Sequence, residues 1–256
     1  MPMLKVSHIT KTFGGLKALD DLSFSVEKGE IYSVIGPNGA GKSTLFNCIN
    51  SIYTPENGTI SYKGQEITNL SSNGVASLGI ARTFQNIELF SRLTTMENLM
   101  LGRHLHMKTG LLASASMWWR GSKAAQEEIK HREKVEEIID TLDLQAYRDK
   151  FVSQLPYGIQ KMVELGRALC MEPDLLLLDE PAAGLNNEER EDLIFWIRDI
   201  RDEFGITVVM IEHNMQMVVD ISDRILVINF GKKLAEGLPE EVINHQEVIN
   251  AYLGQP

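Results

Sequence analysis

Apolar residues along the chain fall into two kinds of run. Ile31–Ile35, Leu175–Leu178, Ile206–Ile211 and Ile225–Ile228 are short and rich in leucine or β-branched side chains, the pattern of strands buried on both faces. Helical patterns separate most of them, and strands alternating with helices predict an α/β layered core around a largely parallel sheet. Ahead of them, Leu22–Val26 and Thr59–Tyr62 alternate apolar with polar residues between Gly and Asn-Gly turns, which predicts an antiparallel sheet beside that core. From Arg92 to Lys150 the strand signal disappears. There Val135, Ile138, Ile139 and Leu142 follow the i, i+3, i+4, i+7 spacing of one helix face, which predicts an inserted helical subdomain. Its middle, Gly110–Lys123, holds small residues and the adjacent Trp118 and Trp119. That stretch reads either as helix-on-helix packing, the commoner use of paired aromatics, or as a surface facing a partner. Pro239–Leu253 reads as one short helical element.

The 256 residues suffice for one large domain or for a core carrying a smaller insertion. The expected division is a core with its antiparallel sheet over 1–91 and 153–238, a helical insertion over 92–152, and a C-terminal helix and tail over 239–256. No window approaches the roughly 18 to 20 consecutive apolar residues that cross a bilayer, and the first residues lack the apolar core of a signal peptide. The chain is therefore expected in the cytoplasm. Its two cysteines, Cys48 and Cys170, sit in apolar helical contexts, the pattern of buried free thiols rather than of a disulfide framework. A net charge of −10 argues against a nucleic-acid partner, since such affinity comes mostly from lysines and arginines that neutralise phosphates.

Chemistry concentrates after the first of the buried strands. Ile31–Ile35 runs into Gly36-Pro37-Asn38-Gly39-Ala40-Gly41-Lys42-Ser43-Thr44 and then the apolar helical stretch Leu45–Ile49, the strand–loop–helix setting a P-loop requires. Glycines let successive backbone N–H groups turn inward onto phosphate oxygens, and the helix N-terminus adds partial positive charge. A polyphosphate is the natural ligand. Lys42 is expected on the β- and γ-phosphates, the Ser43 hydroxyl on Mg²⁺ and Thr44 on phosphate oxygens. Leu175–Leu178 delivers Asp179 and Glu180 at a strand's C-terminal edge, where α/β folds hold ligands. Asp179 is the expected second Mg²⁺ residue, through water, and Glu180 the carboxylate that polarises a water for attack on the γ-phosphate.

Together these residues resemble the ATPase subunits of ABC transporters along nearly the whole chain. The resemblance implies a P-loop NTPase core of the RecA-like kind, with an N-terminal antiparallel β subdomain and an inserted α-helical subdomain. It also implies roles for further residues. Gln85, in Arg82-Thr83-Phe84-Gln85-Asn86, matches the glutamine that contacts Mg²⁺ and the attacking water. His213, in Ile211-Glu212-His213-Asn214, matches the switch histidine on the γ-phosphate. Phe13 matches the aromatic against adenine. The signature loop that serves the partner's ATP corresponds to Leu155-Pro156-Tyr157-Gly158-Ile159-Gln160. Pro156 departs from the usual serine and removes its hydroxyl and a backbone N–H, while Gly158 and the following helix, expected over Lys161–Leu169, retain some attraction for an anion. The D-loop corresponds to Ala183-Gly184-Leu185-Asn186, with Asn in place of the usual Asp.

Within that family, Leu155-Pro156-Tyr157-Gly158, Ala183-Gly184-Leu185-Asn186, Asn98-Leu99-Met100-Leu101-Gly102-Arg103 and Ala251-Tyr252-Leu253-Gly254 look like the branched-chain amino-acid importer branch. Related systems carry urea, amides or small aromatic acids. The resemblance implies integral-membrane permease subunits, a second ATPase subunit, like or unlike this one, and indirectly a solute-binding protein, with the chain peripheral on the inner face of the cell membrane. Two rival expectations remain: a weakly hydrolysing ATP-gated subunit whose altered signature loop marks a degenerate site, and a soluble ABC ATPase acting on nucleic acid or ribosomes. Against the second, the sequence shows neither the doubled ATPase domains nor the long coiled-coil insertion usual in such proteins.

Overall fold

Residues 1–83, 87–107 and 123–253 are described in the computed structural model of the chain. In chain order the strands are β1 (Leu4–Phe13), β2 (Leu16–Val26), β3 (Ile31–Ile35), β4 (Asn57–Tyr62), β5 (Gln65–Glu66), β6 (Ile80–Arg82), β7 (Leu175–Asp179), β8 (Thr207–Ile211), β9 (Arg224–Asn229) and β10 (Lys232–Gly237). The helices are α1 (Lys42–Ile49), α2 (Ser72–Ser77), α3 (Thr95–Gly102), α4 (Lys123–Thr141), α5 (Tyr157–Leu169), α6 (Asn187–Asp202), α7 (Met215–Ile221), α8 (Pro239–Ile243) and α9 (Gln246–Leu253). The chain divides into two units, 1–85 with 174–256, and 86–173.

The first unit holds two sheets. The larger runs β10-β9-β3-β8-β7-β6 and is parallel except for β10, which closes one edge as a hairpin with β9. Every residue of β3, β7 and β8 is buried, which is why those strands appeared in the sequence as mostly apolar runs rather than as alternation. The smaller sheet, β2-β1-β4-β5, is antiparallel, and its alternating inward residues Leu4, Val6, Leu22, Phe24 and Ile60 join the core together with Phe46 and Ile49 of α1. The tail is two helices, α8 and α9, not one, with the break at Asn244–His245. Asn244 closes α8 by donating its side-chain amide to the Glu240 carbonyl, and such a side-chain partner competes with helix continuation.

The second unit is helical. Val135, Ile138, Ile139 and Leu142 are buried along α4 and its end, each contributing about 1.5–3 kcal/mol by leaving water. Compared with the expected insertion over 92–152, this unit extends to 86–173 because α5 packs with α3 and α4. The approach of α3 to α5 is so close that a Cβ on Gly102 would lie 2.3 Å from the Arg167 carbonyl oxygen. Cys48 and Cys170 are both buried and free. Trp118 and Trp119 lie outside the described residues, and no described helix is long and apolar enough to cross a membrane.

Candidate functional site

Strands β3, β8 and β7 are neighbours, and Ile211 stands in register with both Val34 and Asp179. The chain therefore leaves all three strands at one edge of the sheet, bringing together the loop after β3, the acid pair after β7 and the histidine after β8. Gathering at the carboxyl ends of parallel strands follows from the connectivity, since each crossover helix returns the chain to the opposite edge.

The loop Gly36–Gly41 turns tightly against its surroundings. Gly36 has a φ of 153°, and a Cβ there would lie 2.0 Å from the Ile228 carbonyl oxygen. Gly41, at 107°, would press on the Ala18 carbonyl at 2.3 Å. Side chains are therefore excluded from both positions by backbone atoms that cannot yield. The β9–β10 turn braces the loop, with the Gly231 N–H donating to Ala40 at 2.9 Å. No acidic residue occupies the first turn of α1, so the positive end of that helix stays open to an anion. Lys42 is buried, and its Nζ donates to the Gly36 and Pro37 carbonyls at 2.7 and 3.0 Å. Burial holds its pKa below the ordinary lysine range, against the opposing pull of Glu180 and Asp179.

Beside the loop lies a cavity of about 520 Å³. Asn38, Gly39, Ala40, Gly41, Lys42, Ser43 and Thr44 line it, facing Glu180 and His213, while Phe13, Leu16 and Phe230 supply apolar surface. Phe13 stands edge-on to Tyr53 at 5.1 Å and leaves part of its ring exposed. Neither Leu16 nor Phe230 belongs to a motif recognised in the sequence. Phe230 has a signal in hindsight, an aromatic between Asn229 and Gly231 at a hairpin tip, where it is 80% exposed.

The acid pair splits as the strand ends. Asp179 finishes β7 buried, with Oδ2 accepting from Arg82 at 2.7 Å and Oδ1 buried with no hydrogen-bond partner. Glu180 takes a left-handed φ of 51°, a conformation that costs about 1 kcal/mol for a side-chain-bearing residue. Its N–H donates to Ile211 at 2.9 Å, which holds the turn. The turned backbone sends Glu180 away from its neighbour and onto Nε2 of His213, 2.8 Å from Oε1. Glu212, beside His213 in sequence but given no role by its motif, lies buried beneath both segments. Its Oε1 accepts from the Ala182 N–H at 2.8 Å and its Oε2 from the His213 N–H at 2.9 Å. One carboxylate thus joins the turn after Glu180 to the turn that carries His213.

The remaining predicted residues fall elsewhere or outside the description. Gln85 lies outside the described residues. Asn186 caps α6: its side chain accepts from the Glu189 N–H, and the Glu189 carboxylate accepts from the Asn186 N–H, both at 3.0 Å. Asparagine serves there as aspartate would. In the second unit, Leu155 is buried and Pro156 is the N-cap of α5 with no side-chain cap. The helix starts at Tyr157, earlier than the expected Lys161, so Tyr157, Gly158 and Ile159 form its first turn, whose N–H groups have no intrahelical acceptor. Gln160 folds back to donate to the Leu155 carbonyl at 2.9 Å.

An anion-cradling loop, an ammonium, two carboxylates in different settings and a histidine at one sheet edge suit phosphoryl transfer to water. Comparison with known proteins agrees. Residues 19–183 match the family model for ABC transporters, and residues 232–256 match that for the branched-chain amino acid ATP-binding cassette transporter. The chain is 41% identical to the high-affinity branched-chain amino acid transport ATP-binding protein BraF of Pseudomonas aeruginosa, covering 99% of this chain and 98% of that one. It is 40% identical to the corresponding protein LivG of Escherichia coli K12, again over 99% and 98%. Among solved structures it superposes on an ATP-binding cassette of an ABC transporter in its ADP conformation with a TM-score of 0.86 and 32% identity, covering all of both chains.

Proposed function

The chain belongs to the ABC transporter family and is an ATP-hydrolysing subunit of an importer, and from that premise we propose that it drives uptake of branched-chain amino acids. Support for the solute comes from the names of the two relatives and from the C-terminal family match. In this reading two ATPase subunits sit on the inner face of the membrane beneath permease subunits, with a solute-binding protein delivering cargo. The observation that carries the chemistry is the convergence of Lys42, Glu180 and His213 on the P-loop cavity.

ATP lies with adenine against Phe13 and its phosphates in the Gly36–Thr44 loop. Lys42, already at the loop's mouth, neutralises the β- and γ-oxygens as a point charge. Glu180 accepts a proton from water as the water oxygen bonds to the γ-phosphorus and the bond to the ADP oxygen breaks. His213 holds Glu180 through its Nε2 contact and meets the γ-phosphate from the same face. Fit to a magnesium ion is supported by the unpartnered buried Oδ1 of Asp179 beside a loop that carries the Ser43 hydroxyl. Ser43, Asp179 and, by resemblance, Gln85 would hold the ion with the phosphates, where it would supply charge neutralisation. Among the described residues no three His, Cys, Asp or Glu side chains converge to hold a metal by themselves, in keeping with an ion bound together with its substrate. The α5 N-terminus at Tyr157–Ile159 faces the partner's nucleotide, and ATP closes the pair through its greater affinity for the closed form.

Reconstitution tests the solute. With permease and solute-binding protein in vesicles, leucine, isoleucine or valine is expected to stimulate ATP turnover. Stimulation by urea, an amide or an aromatic acid instead would overturn the branched-chain assignment.

A further inference from the structure

Arg82, the last residue of β6, opens the stretch that carries Gln85 but has no assigned role there, yet it joins two parts of the site. Its side chain is 10% exposed and its guanidinium is forked: Nη1 donates to Oδ1 of Asn47 on α1 and Nη2 to Oδ2 of Asp179 at the end of β7, each at 2.7 Å. The group also lies 5.7 Å from the centroid of the Phe46 ring. One planar cation thus joins the helix that follows the phosphate loop to the strand that carries the acid pair. A lysine, with a single ammonium, cannot span both acceptors in a fixed plane.

The fork has a consequence for Asp179. An aspartate held at neither oxygen turns about its last torsion, and the two oxygens trade places. Here Oδ2 is committed to a guanidinium that is itself anchored on Asn47, so the trade is blocked. Oδ1 is left buried with no protein partner, a costly arrangement unless something outside the chain uses that oxygen.

We propose that Arg82 is a positioning residue for the metal carboxylate: by gripping Oδ2 of Asp179 and Oδ1 of Asn47 together, it fixes Oδ1 of Asp179 as the oxygen offered to a divalent cation bound with nucleotide. The proposal rests on the assignment of Asp179 to the metal made above. It also gives the strand three residues ahead of Gln85 a direct link to that carboxylate.

The test uses the full chain with ADP and Mn²⁺, free Mn²⁺ being counted from its paramagnetic resonance signal during titration. Arg82→Met keeps the apolar stem over Phe46 and drops the fork. It is expected to weaken Mn²⁺ binding about tenfold, the usual scale for losing a group that orients a metal ligand. ADP affinity measured without metal should stay within about twofold, which a general loosening of the site would not allow. Arg82→Lys is expected to fall between Arg82→Met and the parent chain. Asp179→Asn should weaken Mn²⁺ binding by itself, and adding Arg82→Met to it should bring no further loss. Unchanged Mn²⁺ affinity in Arg82→Met, or an equal further loss on top of Asp179→Asn, overturns the proposal. Should Asp179→Asn alone leave Mn²⁺ binding unchanged, the assignment of Asp179 fails and this proposal with it, a result distinct from failure of Arg82 alone. If Arg82→Met does not fold by circular dichroism, Arg82→Lys is judged by the same criteria.

Discussion

Replacing Glu212 by alanine should destabilise the chain by about 3 kcal/mol. The buried carboxylate accepts the Ala182 N–H at 2.8 Å and the His213 N–H at 2.9 Å, with a longer contact from the Asn214 N–H at 3.3 Å. A hydrogen bond to a charged group is worth about 1.5–3 kcal/mol, and a buried donor left unsatisfied costs about 1–3 kcal/mol. Ala182 is buried, so its N–H bears the full cost once the acceptor is gone, whereas His213 is partly exposed and water recovers some of its loss. For a chain of this size the change corresponds to a fall in Tm of roughly 6–12 °C, read by circular dichroism. Glu212→Gln keeps the shape but offers one acceptor and one donor to two donors, so about half the effect is expected. Turnover in the assembled complex should drop with it, because the turns that carry Glu180 and His213 lose their shared brace. A Tm for Glu212→Ala within about 1 °C of the parent would refute the reasoning, since the two amides would then be satisfied without the carboxylate.

Three other expectations follow from the same structure. His131 is buried and accepts at Nδ1 from Arg103, and burial, then the Arg103 charge, holds its pKa below the ordinary value. The unfolded chain therefore takes up a proton as pH falls through about 6.5 while the folded chain does not. Stability should decline with falling pH below about 6.5, and His131→Gln should make the decline of Tm between neutral and acid pH shallower; equal slopes would contradict the assignment. Burial pushes the Cys48 thiol up to about 11 and the Cys170 thiol up to about 12, so at pH 8 neither should react with a thiol reagent until denaturant is added. Rapid labelling of the native chain would contradict this. Pro156→Ser adds a hydroxyl cap to α5, which has no side-chain cap, worth about 1 kcal/mol in stability. If turnover in the complex stays within about twofold, the first-turn amides suffice, whereas a gain of tenfold or more would favour the weakly hydrolysing alternative.

Much of the fold was legible in the sequence because burial on both faces writes an unmistakable run. Ile31–Ile35, Leu175–Leu178 and Ile225–Ile228 all lie in strands of the parallel sheet, and Ile206–Ile211 differs from β8 only at its first residue. Strands β6 and β10 were not legible. β6 is three residues long, and β10, an edge strand with the pattern Lys232-Lys233-Leu234-Ala235-Glu236-Gly237, has no buried face to impose alternation. The phosphate loop was readable because its glycines are dictated by nearby backbone, at Ile228 beside Gly36 and at Ala18 beside Gly41. The residues that support the site were hidden for the opposite reason. Glu212 acts through backbone amides and Arg82 through partners 35 and 97 positions away, and neither relation leaves a local pattern. The stretch Asn98–Arg103, first noted as a mark of the importer branch, turns out to be structural: Asn98 ties the turn at Phe90 and Thr94, Gly102 admits α5, and Arg103 bonds the Cys170 carbonyl and His131.

The central claim is that the carboxylate turned out of β7 at Glu180 takes the proton from the attacking water. Phosphate release by the Glu180→Gln variant in the assembled complex tests it most directly. Losing a general base costs about 10²–10⁴-fold, so turnover should fall at least a hundredfold while ATP remains bound. Phosphate release at the parent rate would contradict the account.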